Sequence, residues 1–481
     1  MNYIIKYILI TLIITLNNLT FAENNQKIHS NTLKNGLKVI VKIDNRSPIF
    51  VSQVWYKVGS SYEHDGITGI SHMLEHMMFK ESKNLKDGEF TKIIDTNGGV
   101  QNAFTTHDFT AYYEVLKSDK LDLALKLEAE RMRNLTLNKD AFEKEKQVVL
   151  EERRMRIDDK PYSHLYERLL AASYISNPYH HPVIGWPEDI KQYTVEDIKS
   201  WYNKWYYPNN AILVVVGDVN PKEVFNLANK HFGKINKNQT PILKNRSEIQ
   251  NLGTKNIEVQ LPAKVPMVML SFMAPNVSNI SEEILKKAIK DNSIDKISNF
   301  KDAITLEMIS AILSNDNSSR LPKSLVRESK VATSAGSQYD SFGLHKGLFV
   351  LHGIPTAKTD VKILKKAILK ELKNLIKESV SNQEIEKIKN QIISNKVYSE
   401  DDISNQAIQI GSLESLNVTW RFYEIYLQEL QKITAEDIKA VAKKYFIDKN
   451  LTVAYLKPLD MEDHLSKRKQ QTIKQAKESK A

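Results

Sequence analysis

The sequence predicts an α+β protein built from two related halves, and three observations carry that prediction. The stretch TVEDIKSWYNKWYYPNN at 194–210 recurs as TAEDIKAVAKKYFIDKN at 434–450. The opening Thr, Glu, Asp, Ile and Lys match one for one, and Lys204/Lys444, Trp205/Tyr445, Tyr206/Phe446 and Asn210/Asn450 keep the same offset. A constant offset over the whole stretch marks a duplication rather than one chance helix start. Each half also opens with strand-like runs, and helix-period segments then dominate without a regular βαβ alternation.

Taken in order, MNYIIKYILITLIITLNNLTFA (1–22) has the form of a secretory signal. Lys6 supplies the positive start, residues 7–16 the apolar stretch, and Thr20 and Ala22 the small residues of a cleavage site. The apolar run is short for a bilayer span and ends at Asn17 and Asn18, so cleavage is expected; an uncleaved anchor is the alternative. Export is predicted, to the periplasm if the source is a Gram-negative bacterium. The first domain, 23–235, begins with strands at 37–43 and 50–58 and continues with helices at 120–133, 139–157 and 162–173. Thr194 then caps a helix that leads into the strand AILVVVGDV (211–219). Residues 236–255, polar and without period, form a linker.

The second domain, 256–460, repeats the plan. Strands at 256–261 and 265–275 precede a polar stretch, 276–300, that reads as an insertion or long loop. Helices follow at 303–315, 359–378 and 382–397, then the Thr434-capped helix and a strand at 451–458. A basic polar tail occupies 461–481.

Composition narrows the chemistry. The 481 residues carry 68 Lys and Arg against 58 Asp and Glu, a formal charge of +10, spread along the chain and densest in the tail. No aromatic-interleaved basic stripe accompanies it, so a solvated surface accounts for the charge and no nucleic-acid partner is expected. Cysteine is absent, which excludes disulfides, thiolate metal sites and cysteine nucleophiles. Any metal must be held by His, Asp or Glu.

Residues 72–76 read HMLEH. On a helix His72 and His76 lie one turn apart on one face, with Glu75 at its edge. The order HxxEH is the reverse of the HExxH arrangement of zinc peptidases. Zinc suits imidazole ligands, and a catalytic zinc takes three protein ligands and leaves a fourth position open. Carboxylates for a third ligand are concentrated in FEKEKQVVLEERRMRIDD (142–159), where Glu145 and Glu152 lie two turns apart on one face. Alone, that segment reads as a solvated, salt-bridged helix. In the same way NGGVQNAFTT (97–106) reads as a hairpin strand entered by a Gly-Gly turn, His107 as a loop residue, and His180 and His181 as residues ordering a loop beside Pro182.

Together, HMLEHMMFK, the EKEKQVVLEE helix, GGVQNAFTTHDFTAYY (98–113) and HHPVIGWPEDI (180–190) resemble the pitrilysin or insulinase family of zinc metallopeptidases. The resemblance covers nearly all of the chain beyond the signal segment. It implies two homologous α+β domains, chains that dimerise to close a clamshell chamber, and an endopeptidase acting on short or unfolded peptides. Carried over by position, His72, His76 and Glu152 are the ligands of one Zn2+ per chain, with Glu151 the neighbouring alternative to Glu152. Glu75 is the general base, Glu145 the carboxylate that orients a ligand histidine, and Gly99, Asn102 and Ala103 belong to the strand that pairs with the peptide. A non-catalytic relative serving assembly is the other reading; such proteins typically lose zinc residues, and none is missing here.

The pattern departs from the family in the second half. There is no second HxxEH, so that domain is expected to bind no metal. Arg327 fits the family's substrate-steadying arginine, but Ser334 stands seven residues later where the family has a tyrosine, and Tyr339 is the nearest alternative. The chain is therefore expected to work either as the zinc-bearing member of a heterodimer with a paralogous subunit supplying the Arg and Tyr, or as a homodimer in which Tyr339 substitutes. FKES at 79–82 also replaces the family's FKGT, away from the ligands.

Overall fold

The computed structural model describes residues 28–459 apart from positions 242, 245 and 298. The signal segment 1–22 and the tail 461–481 lie outside the described residues. Strands β1 (Ile28–Thr32), β2 (Lys38–Ile43), β3 (Ile49–Tyr56), β4 (Val100–Thr105), β5 (Thr110–Lys117) and β6 (Ala211–Gly217) form one sheet in the order β1-β2-β6-β3-β5-β4. Strands β7 (Lys255–Pro262), β8 (Met267–Ala274), β9 (Ala332–Gln338), β10 (Gly347–Pro355) and β11 (Leu451–Leu459) form the second, in the order β7-β11-β8-β10-β9. In each sheet the strand after the repeated helix pairs parallel with the opening strand: β6 with β2, β11 with β7. The pairings β3–β6, β3–β5 and β4–β5 are antiparallel, as are their counterparts β8–β11, β8–β10 and β9–β10. The duplication read from one helix therefore extends through five strands of each sheet, β1 being an addition to the first.

The repeated helices, Val195–Trp205 and Ala435–Tyr445, both begin in a complete capping box: Thr194 with Asp197, and Thr434 with Asp437. Helix expectations hold to within a few residues at 121–133, 161–173, 300–314, 361–377 and 382–399. Two differ. The helix Lys139–Arg153 gives way to a π-helical turn, Arg154–Asp158, where an unbroken α-helix was expected. The stretch 276–300 is not simply a loop, since it contains the helix Glu282–Lys290. Ser281 caps that helix, and Leu285 and Ala288 bury its apolar stripe.

Both sheets are covered on both faces, and the second cover comes from the other half. The helix Pro161–Ser173 of the first half lies on β7, β8 and β11, where Leu165 and Leu169 pack against Met267, Met269 and Ala454. The helix Ile403–Ser415 of the second half lies on β3 and β6, placing Ala407 and Ile410 against Trp55, Ile212 and Val214. Burial on two faces explains why β6 reads as a continuous apolar run: Leu213 and Val215 face one core, and Ile212, Val214 and Val216 the other. Gly411 is where the exchanged helix crosses Trp55; a Cβ there would collide with the indole ring. Residues 236–254 contain no helix or strand among those described, and Glu248 from this segment accepts the backbone N–H groups of Ile175, Ser176 and Asn177 at 2.9, 3.2 and 2.7 Å.

Candidate metal centre

The helix Ile70–Met77 carries His72, Glu75 and His76, and its start is fixed from outside. Its N-cap residue, Gly69, has φ 86° and no side chain with which to cap. Glu63 supplies the cap, accepting the Gly69 N–H at 2.6 Å and the Ser71 N–H at 2.8 Å. The loop before the helix is clamped by Asp189, which accepts from the Gly66 and Thr68 N–H groups and from the Thr68 hydroxyl. Gly69 and Gly185 pass so closely that a Cβ on either would strike the other loop's backbone. The segment HHPVIGWPEDI thus acts as a brace for the histidine helix. Arg153 anchors it further, bonding Glu167 and the Gly185 carbonyl, each at 2.8 Å.

His72, His76 and Glu152 each present a ligand atom within 4.8 Å of the others, and among the described residues they are the one such group of three or more. His76 Nε2 lies 3.1 Å from Glu152 Oε2 and His72 Nε2 3.8 Å from the same oxygen. Glu145 Oε1 sits 2.9 Å from His76 Nδ1, which assigns the proton to Nδ1 and leaves Nε2 turned toward the group. Lys80 holds the other Glu145 oxygen at 2.8 Å, and Arg156 Nε holds Glu152 Oε1 at 2.9 Å. Two imidazole nitrogens and one carboxylate oxygen, converging with an orienting carboxylate behind them, fit a zinc ion with an open position. Glu151 points elsewhere: its side chain is about half exposed and paired with Arg154 at 2.5 Å.

The charge states follow from these contacts. Burial pulls His72 down to about 4, with the neighbouring His76 adding to the effect. Burial opposes charge on His76 too, but hydrogen bonds to Glu145 and Glu152 outweigh it and push that ring up to about 9. The His76 contact holds Glu152 below its ordinary range; Glu145 is lowered because His76 and Lys80 outweigh its burial. Glu75 is raised by burial, against the hydrogen bond from Thr105. A carboxyl group raised in this way is better matched to accepting and returning a proton near neutral pH.

These residues line a cavity of about 1120 Å³, bordered on one side by Asn102, Ala103, Phe104 and Thr105 of β4. β4 is an edge strand, and the Ala103 N–H donates to Asn102 Oδ1 at 2.8 Å instead of to a strand neighbour. Gly99 precedes β4 and lies outside the cavity, its Cα packed against the Leu116 side chain. Arg327 is exposed in the π-helical turn Pro322–Glu328, and Ser334 is exposed on β9; neither lines this cavity. Tyr339 donates its hydroxyl to the Pro275 carbonyl and lines a separate cavity of about 390 Å³ between the halves. His107 borders that second cavity with its ring against Tyr179, and His181 is buried. Glu63, Asp189, Arg153 and Thr105 were not singled out in the sequence; Asp189, Arg153 and Thr105 act on groups distant along the chain, and Glu63, only six and eight residues before the N–H groups it caps, sits outside any standard capping spacing.

Residues 38–186 match the family described as insulinase (peptidase family M16), and residues 192–392 match the peptidase M16 inactive domain. The zinc protease PqqE of Helicobacter pylori is 35% identical over 455 residues, covering 90% of this chain and 93% of the relative. A solved protease from Helicobacter pylori superposes with a TM-score of 0.82 at 33% identity, covering 90% of this chain and 99% of that one. The periplasmic protease PqqL from Escherichia coli shares the fold, with a TM-score of 0.72 at 17% identity over 92% of this chain and 50% of its own.

Proposed function

The chain belongs to the insulinase family, peptidase family M16, and from that premise we propose that it is an exported zinc endopeptidase that hydrolyses short or unfolded peptides. The observation that carries the reading is the convergence of His72, His76 and Glu152 beside Glu75 in one cavity. In this reading those three residues hold one zinc ion. When bound, zinc supplies Lewis-acid polarisation of the scissile carbonyl and acidifies a water molecule. Glu75 takes the proton of the attacking water and returns it to the leaving amine. Glu145 keeps His76 in the tautomer that offers Nε2, and Lys80 and Arg156 hold the two carboxylates in place.

The peptide adds to the free edge of β4 through main-chain hydrogen bonds, with the Gly98-Gly99 turn setting the start of the strand and Asn102 and Ala103 facing the substrate. Main-chain recognition of this kind accepts varied side chains but demands an extended backbone, which excludes folded segments. No helix among the described residues is long and apolar enough to cross a membrane. Export rests on the signal-like segment 1–22, and PqqL, which shares the fold, is described as periplasmic.

The reading includes a second chain. Arg327 stands on an exposed turn outside the cavity, and the Tyr339 hydroxyl is already engaged by Pro275, so one chain alone brings neither to Glu75. A dimer, with a second copy or a paralogous subunit, supplies the Arg and the hydroxyl donor; full activity of a monomer would exclude it. The test of the whole reading is metal content and hydrolysis of an internally quenched peptide. Wild type binds one zinc per chain and cleaves; Glu75→Gln keeps the metal and loses cleavage. Turnover that survives in Glu75→Gln refutes the assigned base.

A further inference from the structure

Thr105 lies at the end of β4, where its backbone pairs with Thr110 of β5. Its hydroxyl is 2.5 Å from Glu75 Oε2 and 3.4 Å from the Thr110 hydroxyl. Thr110 spends its own proton on the Val58 carbonyl at 2.9 Å. An ionised carboxylate only accepts, so the Thr105 proton goes to Glu75. Among the described residues this is the one hydrogen bond made by the Glu75 side chain, and it leaves Glu75 Oε1 unengaged at the cavity wall.

Resting on the peptidase reading above, we propose that Thr105 is a positioning residue for Glu75 and ties the base to the peptide-pairing strand. The donated bond fixes one carboxylate oxygen, and with it the rotation of the group, so that Oε1 is the oxygen presented to water. Asn102, Ala103 and Thr105 are in one strand, so a peptide that pairs with that strand and the base that serves its scissile bond share one rigid frame. Placement of this kind acts on the chemical step, because a small misorientation of a base is costly to proton transfer while leaving main-chain pairing intact.

The test compares Thr105→Val, which keeps the shape and removes the donor, with Thr105→Ser, which keeps the donor. Zinc affinity by chelator competition and binding of a short fluorescent peptide to zinc-stripped protein should both stay within about twofold of wild type in each variant. With zinc restored, Thr105→Val should lower kcat by about 10–100-fold with KM little changed, and Thr105→Ser should recover most of it. In crystals of Thr105→Val the Glu75 carboxylate should occupy more than one orientation, a readout that needs no turnover. An unchanged kcat, a defect confined to KM, a loss of zinc affinity, or a single unchanged Glu75 orientation would overturn the proposal. Loss of activity in Glu75→Gln together with wild-type behaviour in Thr105→Val would sink this inference alone. Retained activity in Glu75→Gln would sink the peptidase reading itself.

Discussion

Glu75, Glu152 and Glu145 are chemically identical side chains given three tasks by their neighbours. Burial raises Glu75 against the hydrogen bond from the Thr105 hydroxyl, whereas a histidine contact lowers Glu152, and a histidine with a lysine lowers Glu145. The environments separate a proton carrier from two permanent carboxylates, the pattern that acid–base chemistry at neutral pH requires. The expected effects of substitution divide accordingly. Glu75→Gln should cost about 10²–10⁴-fold in kcat at unchanged zinc content, since only the proton transfer is removed. Glu152→Ala should instead show up in the metal: zinc affinity falls and activity follows it, measurable by titration with a chelating indicator. HxxEH was readable because a helix places i and i+4 on one face, and the carboxylate helix because Glu145 and Glu152 repeat at two turns. The clamp from Asp189 and the hydroxyl of Thr105 were not readable, because each contact is made only when segments distant in sequence are brought together, and the cap from Glu63 was not because it folds back over a six-residue loop that no capping pattern marks.

At the scale of single elements, the two capped helices behave as copies. Thr194 and Thr434 each accept from the backbone N–H three residues on, and Asp197 and Asp437 each bond back to the cap. Replacing either threonine by alanine should cost about 1 kcal/mol, with similar values for the two, read from the midpoint of urea unfolding. A difference of several-fold between them would show that the copies carry unequal loads. Capped helices and apolar runs were legible because their signals are local. The helix Glu282–Lys290 was hidden by the Asn- and Ser-rich residues around it, and the π-helical turn at Arg154–Asp158 by a pattern that an α-helix fits equally well. That turn lies directly beyond Glu152 and contributes Met155, Arg156 and Ile157 to the cavity wall.

The whole molecule is held by exchange. Each half gives one helix to the other's sheet, and polar contacts follow the same route: Lys38 meets Glu414 at 2.6 Å, Lys42 meets Glu400 at 2.7 Å, and Ser173 meets Ser271 at 2.7 Å. Gly411→Leu should therefore damage both halves at once. Its side chain meets Trp55, and an overpacking cost of about 1–3 kcal/mol or more should appear as one lowered unfolding transition, not as the loss of one of two. The junction should also be acid-sensitive. Hydrogen bonding by Arg46 holds Asp44 down to about 2 from an ordinary 3.8 against its burial, with Gln406 from the other half adding to the effect. A depressed carboxyl group stabilises the fold above its unfolded pKa and loses that contribution as pH falls through the folded one. Asp44→Asn should flatten the fall in stability between about pH 4 and 2, seen in urea midpoints taken across that range.

The sequence by itself determined the duplicated α+β plan, the order of most strands and helices, and the residues able to gather around a metal, because periodicity and i, i+4 spacing are properties of neighbouring residues. Only the tertiary structure decided that the halves interlock through exchanged helices, that Glu152 and not Glu151 turns inward, and that the edge strand reaches the base through Thr105. Those outcomes depend on which surfaces are buried against each other, and burial is settled by the whole chain at once.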